Sequence, residues 1–314
     1  MGIKVENGGI LTTVQDEGRY GYQAYGVSTS GAMDGHSFHI ANLLVGNDKS
    51  EAVLETTLMG PVLEFTEDNV IAITGADMDP KLDGTSIPSY TAVAVRAGQK
   101  LSFGMARNGF RGYIAFAGGL DIPEVMGSKS TLLRNHLGGL DGRKLEKGDE
   151  IDFVAARAVL PDMDKRRVPR EIYPDKEVVL RVVLGPQDDE FTEKGIKDFF
   201  WYKGVITQES DRMGCRIDRD PIEMRGDGNI NTDGISLGSI QVPGNGKPII
   251  MLSDRQSTGG YPKIGTVISV DIAKIAQSRP GQNVRFINVS LKLAQELYIR
   301  ELAFIEKLDA KLNH

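Results

Sequence analysis

The hydrophobic pattern of the first half of the chain consists of short apolar runs, rich in β-branched residues and bounded by Gly, Pro, Asn or Asp. Runs of this length and composition predict β-strands. The predicted strands are 53–55, 62–65, 70–74, 91–95, 101–103, 113–116 and 150–153. Only residues 37–44 place apolar side chains at helical spacing here, whereas a doubly wound fold needs a helix between successive strands. The pattern therefore predicts a sheet-rich barrel or sandwich and disfavours a doubly wound nucleotide-binding fold.

The second half of the chain repeats this β-rich pattern. Strands are predicted at 178–184, 205–207, 249–252, 267–270 and 284–287, and a helix is predicted at 188–199. Between the halves, residues 155–176 contain three prolines and little apolar periodicity, which is typical of a connection. We therefore predict two domains, 1–165 and 166–314, built as related barrels with the cleft between them as the default ligand site. After Ser290, apolar residues at three- and four-residue steps predict an amphipathic helix packed on the barrel.

Composition narrows the class of protein. The 314 residues include 37 basic and 43 acidic residues, a net charge of −6, and one cysteine, Cys215. At roughly 150 residues per domain this length agrees with two domains, and the acidic balance disfavours a nucleic-acid surface. A single cysteine excludes an internal disulfide framework, and the sequence has neither a signal-peptide pattern nor an apolar run of transmembrane length. We expect a cytoplasmic protein that binds no membrane, and no His or Cys set predicts a metal site.

Two common catalytic motifs fail on their context. The pair Gly246 and Lys247 is followed by Pro248, where a P-loop needs Ser or Thr, so any ATP chemistry must lie elsewhere or on another chain. The sequence around Ser236 matches the G-x-S-x-G pattern of α/β-hydrolases, but a strand-like run follows it where that fold needs a helix. The histidine downstream of it is His314. A Ser-His-Asp hydrolase is therefore disfavoured.

Three polar, glycine-rich segments are not explained by packing. They cover residues 12–34, residues 211–216 with 234–246 behind them, and residues 253–262. Each combines carboxylate, guanidinium or carboxamide groups with glycines that let backbone amides approach a ligand closely. The alternative is ordinary loop chemistry, in which Asp and Arg cap turns. Three such segments in a chain of plain strands predict at least one shared site.

These segments also carry a resemblance. Residues 11–34 and 41–47, Asp-Arg-Met-Gly at 211–214, Gln-Val-Pro at 241–243 and Asp-Arg-Gln-Ser-Thr-Gly-Gly-Tyr-Pro at 254–262 closely resemble the biotin-dependent carboxyltransferase-like family. That family includes the C component of bacterial 5-oxoprolinase, KipA and the carboxyltransferase part of urea amidolyase. The resemblance covers nearly the whole chain. Ser257 stands where the family usually has threonine, and both residues carry a hydroxyl.

The resemblance implies a mainly β fold of two cyclophilin-like β-barrel domains with a few peripheral helices. It implies the C component, inactive alone, of an ATP-dependent 5-oxoprolinase that opens 5-oxo-L-proline to L-glutamate with a KipI-like B component and an A component. ATP is then expected at the level of the complex. One alternative is carboxyl transfer to urea or a related amide, with biotin arriving on another chain. Another is a KipA-like regulatory protein that binds a KipI-like kinase inhibitor.

In either reaction a small planar amide or ureide gains negative charge on its oxygen, and donors fixed in a cleft stabilise that charge. The expected catalytic residues are Asp16, Arg19, Asp211, Arg212, Arg216, Asp254 and Gln256. The expected substrate-binding residues are Ser30, Gln241, Thr258 and Tyr261. Arg19 is expected to face the other donors from the first barrel, and Tyr261 to cover the substrate. Each carboxylate is either a general base or the partner that orients an arginine, and the sequence leaves both roles open.

Overall fold

The computed structural model describes residues 1–313, which form two compact units. One unit comprises residues 1–19, 30–173 and 303–313, and the other comprises 20–29 and 174–302. The chain beyond residue 165 stays with the first unit because Arg167 forms a β-bridge with Thr91, and the Val168 amide donates to the Tyr90 carbonyl at 3.0 Å. The C-terminal residues 303–313 also belong to the first unit, whereas the sequence predicted a single boundary near residue 165.

Within the described residues, the first unit contains a six-stranded and a five-stranded antiparallel sheet. Its strands are β1 (Gly2–Asn7), β2 (Leu11–Gln15), β3 (Val53–Thr57), β4 (Val62–Phe65), β5 (Asn69–Asp77), β6 (Lys81–Leu82), β7 (Thr85–Ser86), β8 (Ala92–Val95), β9 (Lys100–Ser102), β10 (Asn108–Phe116) and β11 (Glu150–Asp152). The strand orders are β11-β1-β4-β9-β6-β7 and β2-β3-β10-β5-β8. Both sheets contribute to one core, which includes Val5, Leu63, Ile73 and Phe116.

A second core of the first unit lies under helix α1 (Gly35–Leu44). The helix begins after Asp34, whose carboxylate accepts from the Ser37 amide at 3.0 Å and so satisfies an amide at the helix start. Its buried face includes Phe38 and Leu44. The helix predicted at 37–44 is confirmed.

The second unit is a closed barrel with the strand order β12-β19-β16-β17-β14-β13-β20. Its strands are β12 (Glu177–Leu184), β13 (Gly204–Ile206), β14 (Gly214–Asp218), β15 (Asp233–Gly234), β16 (Ser239–Gln241), β17 (Ile249–Met251), β18 (Thr258–Gly259), β19 (Lys263–Val267) and β20 (Asn283–Asn288). Parallel pairing of β12 with β20, which sets Leu180 opposite Phe286, closes the barrel. Strands β15 and β18 pair with each other in a separate two-stranded sheet. The predicted mainly β fold is confirmed.

Three helices follow in the second half: α2 (Glu193–Trp201), α3 (Ile272–Ala276) and α4 (Leu291–Asn313). The helix predicted at 188–199 begins later, because Thr192 accepts from the Gly195 amide at 3.0 Å and caps the helix there. The strand predicted at 267–270 is wrong, since β19 ends at Val267 and a 3-10 turn follows. The amphipathic helix after Ser290 is confirmed as α4. Within residues 1–313, no helix combines the length and apolarity needed to cross a membrane.

Candidate functional site

Asp16 is the centre of a hydrogen-bonded loop in the first unit. Its carboxylate accepts from the Ser128 hydroxyl at 2.7 Å, the Ser130 hydroxyl at 2.5 Å and the backbone amides of Lys129 at 2.6 Å and Gly18 at 2.8 Å. Bonds to an ionised acceptor are the strong class of protein hydrogen bonds. Asp16 therefore holds the loop 128–130 against the end of β2.

Arg19 is fully buried beside the same loop. Its guanidinium donates to the carbonyls of Val125 at 2.7 Å, Ser130 at 2.9 Å and Ser128 at 3.3 Å. Ser30, at a φ of 55°, donates its hydroxyl to the next carbonyl of this loop, that of Thr131, at 2.8 Å. The structure thus brings Asp16, Arg19 and Ser30 together around residues 125–131.

In the second unit, Arg212 and Asp254 form a bidentate ion pair. Nε of Arg212 donates to Oδ2 of Asp254 and Nη2 donates to Oδ1, both at 3.0 Å. Only 5% of the Arg212 side chain and 10% of the Asp254 side chain are exposed. The Asp254 amide also donates to the Arg212 carbonyl at 2.9 Å, which aligns the two segments. Of the two roles that the sequence leaves open for Asp254, this geometry favours that of orienting an arginine.

Asp211 and Arg216 lie close to Arg212 in the sequence but have different surroundings in the structure. Oδ1 of Asp211 accepts from the amides of Met213 at 2.8 Å and Gly214 at 3.0 Å, which shapes the turn that starts β14. Arg216 lies further along β14, is exposed, and approaches Glu209 at 3.8 Å. It lines an open surface groove together with Lys247.

Residues 28 and 29 join the third polar segment. The Ser28 hydroxyl donates to the Arg255 carbonyl at 2.7 Å, and Nη1 of Arg255 donates to Oγ1 of Thr29 at 3.2 Å. Arg255 also donates through Nε to the Ile235 carbonyl at 3.1 Å. Burial of this guanidinium lowers its pKa. Arg255 lies in the third polar segment but was not among the predicted site residues. It joins three parts of the second unit.

Gln241 and Gln256 converge on Gly259. A β-carbon built at Gly259 would lie 2.7 Å from Nε2 of Gln241 and 2.9 Å from Nε2 of Gln256, so the glycine makes room for both amides. Gln241 is 2% exposed, and its Nε2 has no hydrogen-bond partner within the described residues. An unpartnered buried donor is costly and calls for an explanation. Thr258 is exposed, and Tyr261 is 40% exposed.

Lys263 lies beside these amides and was missed by the sequence reasoning, which ended the third segment at Pro262. It stands opposite Gln241 in the pairing of β16 with β19. Only 3% of its side chain is exposed, and its ammonium contacts Oδ2 of Asp233 at 2.8 Å. Nε2 of Gln187 donates to the same oxygen at 3.0 Å. The sequence carries no signal for Lys263, because its burial depends on the pairing of β19 with β16.

The charges of this cluster are well defined. The hydrogen bond from Lys263, together with those from the Gly234 amide and Gln187, lowers the pKa of Asp233 to about 2. Asp233 therefore stays ionised throughout the neutral range. The buried amide of Gln241 and the buried ammonium of Lys263 are donors that suit an oxygen atom carrying negative charge.

Two other candidate sites, a hydrolase nucleophile at Ser236 and a metal centre, are not assembled within residues 1–313. Ser236 shares a hydrogen bond of 2.9 Å with Ser239 and is followed by strand β16, which differs from the strand-to-helix turn of a hydrolase nucleophile. His314 lies outside the described residues. Within residues 1–313, no three His, Cys, Asp or Glu side chains gather in a set that could hold a metal ion.

Known proteins resemble this chain along its whole length. It is 36% identical to the C component of 5-oxoprolinase from Escherichia coli K12 over 313 residues, which covers 99% of each chain. Urea amidolyase of Saccharomyces cerevisiae is 34% identical over 98% of this chain, which spans 18% of that protein. The crystal structure of K. lactis urea amidolyase matches 98% of this chain with a TM-score of 0.92 at 30% identity, over 20% of that chain.

The family comparison agrees with these similarities. A model described as the carboxyltransferase domain, subdomains A and B, matches residues 25–288. That range includes nearly all strands of both units and the polar segments at 211–216 and 253–262. The chain therefore belongs to the carboxyltransferase domain family.

Proposed function

We propose that this chain is the C component of an ATP-dependent 5-oxoprolinase, which opens 5-oxo-L-proline to L-glutamate together with the A and B components. One observation carries the proposal: the similarity to the Escherichia coli C component extends over 99% of both chains. The urea amidolyases share only a fraction of their length with this chain. The similarity to the oxoprolinase component, in contrast, covers nearly the whole of that relative.

The chemistry of lactam opening fits the donor set of the second unit. Water adds to the lactam carbonyl, whose oxygen gains negative charge before the ring C–N bond breaks. Arg212, held by two hydrogen bonds to Asp254, is a fixed cationic donor for such an oxygen. The amide of Gln256 adds a neutral donor beside Gly259. Asp254 acts as a positioning residue, because both of its oxygens are occupied by Arg212.

The proposal assigns the remaining chemistry to partner chains. The sequence has no P-loop, so ATP is bound at the level of the complex, with a KipI-like B component and the A component as partners. The sequence predicts no metal site on this chain, and biotin, if the reaction uses it, is expected on a partner chain. A cytoplasmic location remains a prediction.

A second candidate is carboxyl transfer to urea or a related amide. The TM-score of 0.92 to K. lactis urea amidolyase favours it, since the fold match there is as complete as the sequence match to the oxoprolinase component. In this reaction biotin on another chain would supply the carboxyl group. The same donors would then stabilise charge on the urea oxygen.

The test is L-glutamate release from 5-oxoproline and ATP by this chain with its A and B partners, each omitted in turn. Strict dependence on all three chains is the expected result. Glutamate formation without this chain would overturn the proposal. A stable complex without glutamate would favour carboxyl transfer if biotin-dependent turnover of urea appears. It would favour a KipA-like regulatory role if no turnover appears.

Gln256→Ala separates catalysis from partner binding. If Gln256 binds substrate, we expect turnover to fall about tenfold or more while the complex stays intact in size-exclusion chromatography. Gln208→Ala is the matched control, because Gln208 is an exposed glutamine of the same unit. A loss of complex formation by the Gln256 variant alone would instead place this residue in a partner surface.

A further inference from the structure

A buried ammonium group faces the interior of the second unit while its counter-charge faces water. The Lys263 side chain is 3% exposed, whereas the carboxylate of Asp233 that it contacts is 51% exposed. Water screens the exposed carboxylate far more than the buried ammonium. The inner end of this ion pair is therefore a positive charge.

Two neighbouring features place further donor capacity and open space beside this charge. Gln241 is paired with Lys263 across the two strands, which sets the β-carbons of opposite residues about 5 Å apart. Its buried Nε2 has no partner within the described residues. Gly259 keeps the space beside this Nε2 free of a side chain. The Lys263 ammonium has three protons, and within residues 1–313 the structure gives its side chain one acceptor, Asp233. The cluster holds more buried donors than the protein provides acceptors.

Asp233 and Gln187 hold the ammonium in place. Gln187 donates to Oδ2 of Asp233 at 3.0 Å, and its Oε1 accepts from the Lys263 backbone amide at 3.1 Å. The same glutamine thus fixes both the counter-ion and the main chain of the lysine. Fixing Asp233 and the Lys263 main chain in this way costs side-chain entropy. An ammonium that only filled space would not need to be held so firmly, whereas a binding group does.

We propose that Lys263 and Gln241 form a carboxylate-binding subsite, in which the ammonium and the amide bind the carboxylate of a small carboxylate-bearing lactam. This inference rests on the proposed function, because 5-oxoproline carries a carboxylate that urea lacks. Lys263 distinguishes an acidic substrate from a neutral amide of the same shape. Asp233 and Gln187 are positioning residues.

The test compares 5-oxoproline with its neutral carboxamide, 5-oxoprolinamide, in the assembled complex. For Lys263→Met we expect KM for 5-oxoproline to rise about 10- to 100-fold, because the variant loses a hydrogen bond to the charged carboxylate of the substrate. The kcat should change less, and KM for the amide should stay the same. Lys263→Arg should retain most of the preference for the acid. Lys194→Met is the matched control, because Lys194 forms a Lys–Asp pair of 2.6 Å at the surface of the same unit.

Binding of 5-oxoproline without ATP, measured by calorimetry, separates this inference from the proposed function. Binding that Lys263→Met abolishes, in a complex that forms no glutamate, would support the subsite and overturn the oxoprolinase assignment. Glutamate formation with unchanged KM in Lys263→Met would overturn the subsite alone. An equal loss for acid and amide in both Lys263 variants would also overturn it, since that is the result of a purely structural role.

Discussion

The two units use the same residue types in opposite ways. In the first unit, Asp16 accepts from amides and hydroxyls of residues 128–130, and Arg19 donates to carbonyls of residues 125–130. In the second unit, the ammonium of Lys263 and the amide of Gln241 are buried with fewer acceptors than donors. The comparison teaches that residue type alone does not identify a ligand site: the Arg19 guanidinium donates to backbone carbonyls of its own unit, whereas Nε2 of Gln241 has no acceptor within the described residues. This difference favours a candidate site in the second unit.

The largest expected effect concerns Arg212. Arg212→Ala leaves Asp254 buried without its counter-charge, so we expect the free energy of unfolding to fall by about 3–5 kcal/mol. Denaturation with urea measures this loss. In the proposed function, turnover by the reconstituted complex is lost as well.

Arg143 offers the matched control in the first unit. It forms a bidentate pair with Asp149 at 2.7 and 2.8 Å, but its side chain is 32% exposed. The two aspartates are similarly buried, but water reaches the Arg143 guanidinium and screens it, so Arg143→Ala should cost less than Arg212→Ala, about 1 kcal/mol, and leave turnover unchanged. Equal losses in the two variants would contradict the distinction between the units.

Gly138 tests whether the loop around Arg19 is a rigid structural device. A β-carbon at Gly138 would lie 2.2 Å from the Ser130 carbonyl oxygen and 2.5 Å from Nη2 of Arg19, at a φ of +66°. Gly98 also has positive φ, at +85°, but a β-carbon there meets nothing within 4 Å. We expect Gly98→Ala to cost about 1 kcal/mol from the backbone alone. Gly138→Ala should cost about 2 kcal/mol more, measured by urea denaturation.

If Gly138→Ala and Gly98→Ala are equally stable, the loop around Arg19 can shift to admit a β-carbon, and it is not a rigid part of the first unit. The same experiment also reports on function. Because Gly138 serves a structural loop, its variant should reduce the stability of the first unit without changing the KM of the folded complex.

The fold was predictable where local patterning dominates. Short β-branched runs gave most strands of both halves, and the apolar steps after Ser290 gave helix α4. Boundaries that depend on long-range pairing were not predictable. The strand expected at 267–270 is instead β19, which begins at Lys263, because its partner β16 sets the register. Likewise, the pairing of Arg167 with Thr91 keeps the chain beyond residue 165 in the first unit.

The site was predictable in its residue types and not in its grouping. The sequence pattern singled out Arg212, Asp254, Gln241 and Gln256, and the structure places the first two in one ion pair and the last two beside one glycine. It did not reveal Lys263, because a lysine within an apolar strand gives no sign of burial until the opposite strand is known. The catalytic and substrate-binding roles of these residues remain predictions.

Gln241 provides a smaller effect with an unusual sign. Its buried Nε2 lacks a partner, so replacement by an apolar residue of similar shape removes a desolvation cost. We expect Gln241→Met to raise the free energy of unfolding by about 1 kcal/mol while turnover of 5-oxoproline falls. Thr12→Val is the control, because the Thr12 hydroxyl is buried but donates to Thr56 at 3.2 Å. Thr12→Val should lower the free energy of unfolding. If Gln241→Met lowers it as well, Gln241 is an ordinary structural amide.

The smallest effect is the pH dependence of the ion pair at the proposed subsite. Lys263 lowers the pKa of Asp233 from 3.8 to about 2, so the pair stabilises the folded state fully above pH 4 and loses this contribution as the pH falls toward 2. Asp233→Asn should therefore flatten the stability profile between pH 4 and pH 2 relative to the parent chain. If Asp233→Asn leaves the profile unchanged, the carboxylate does not hold the Lys263 ammonium, and the second unit loses the feature that sets it apart from the first.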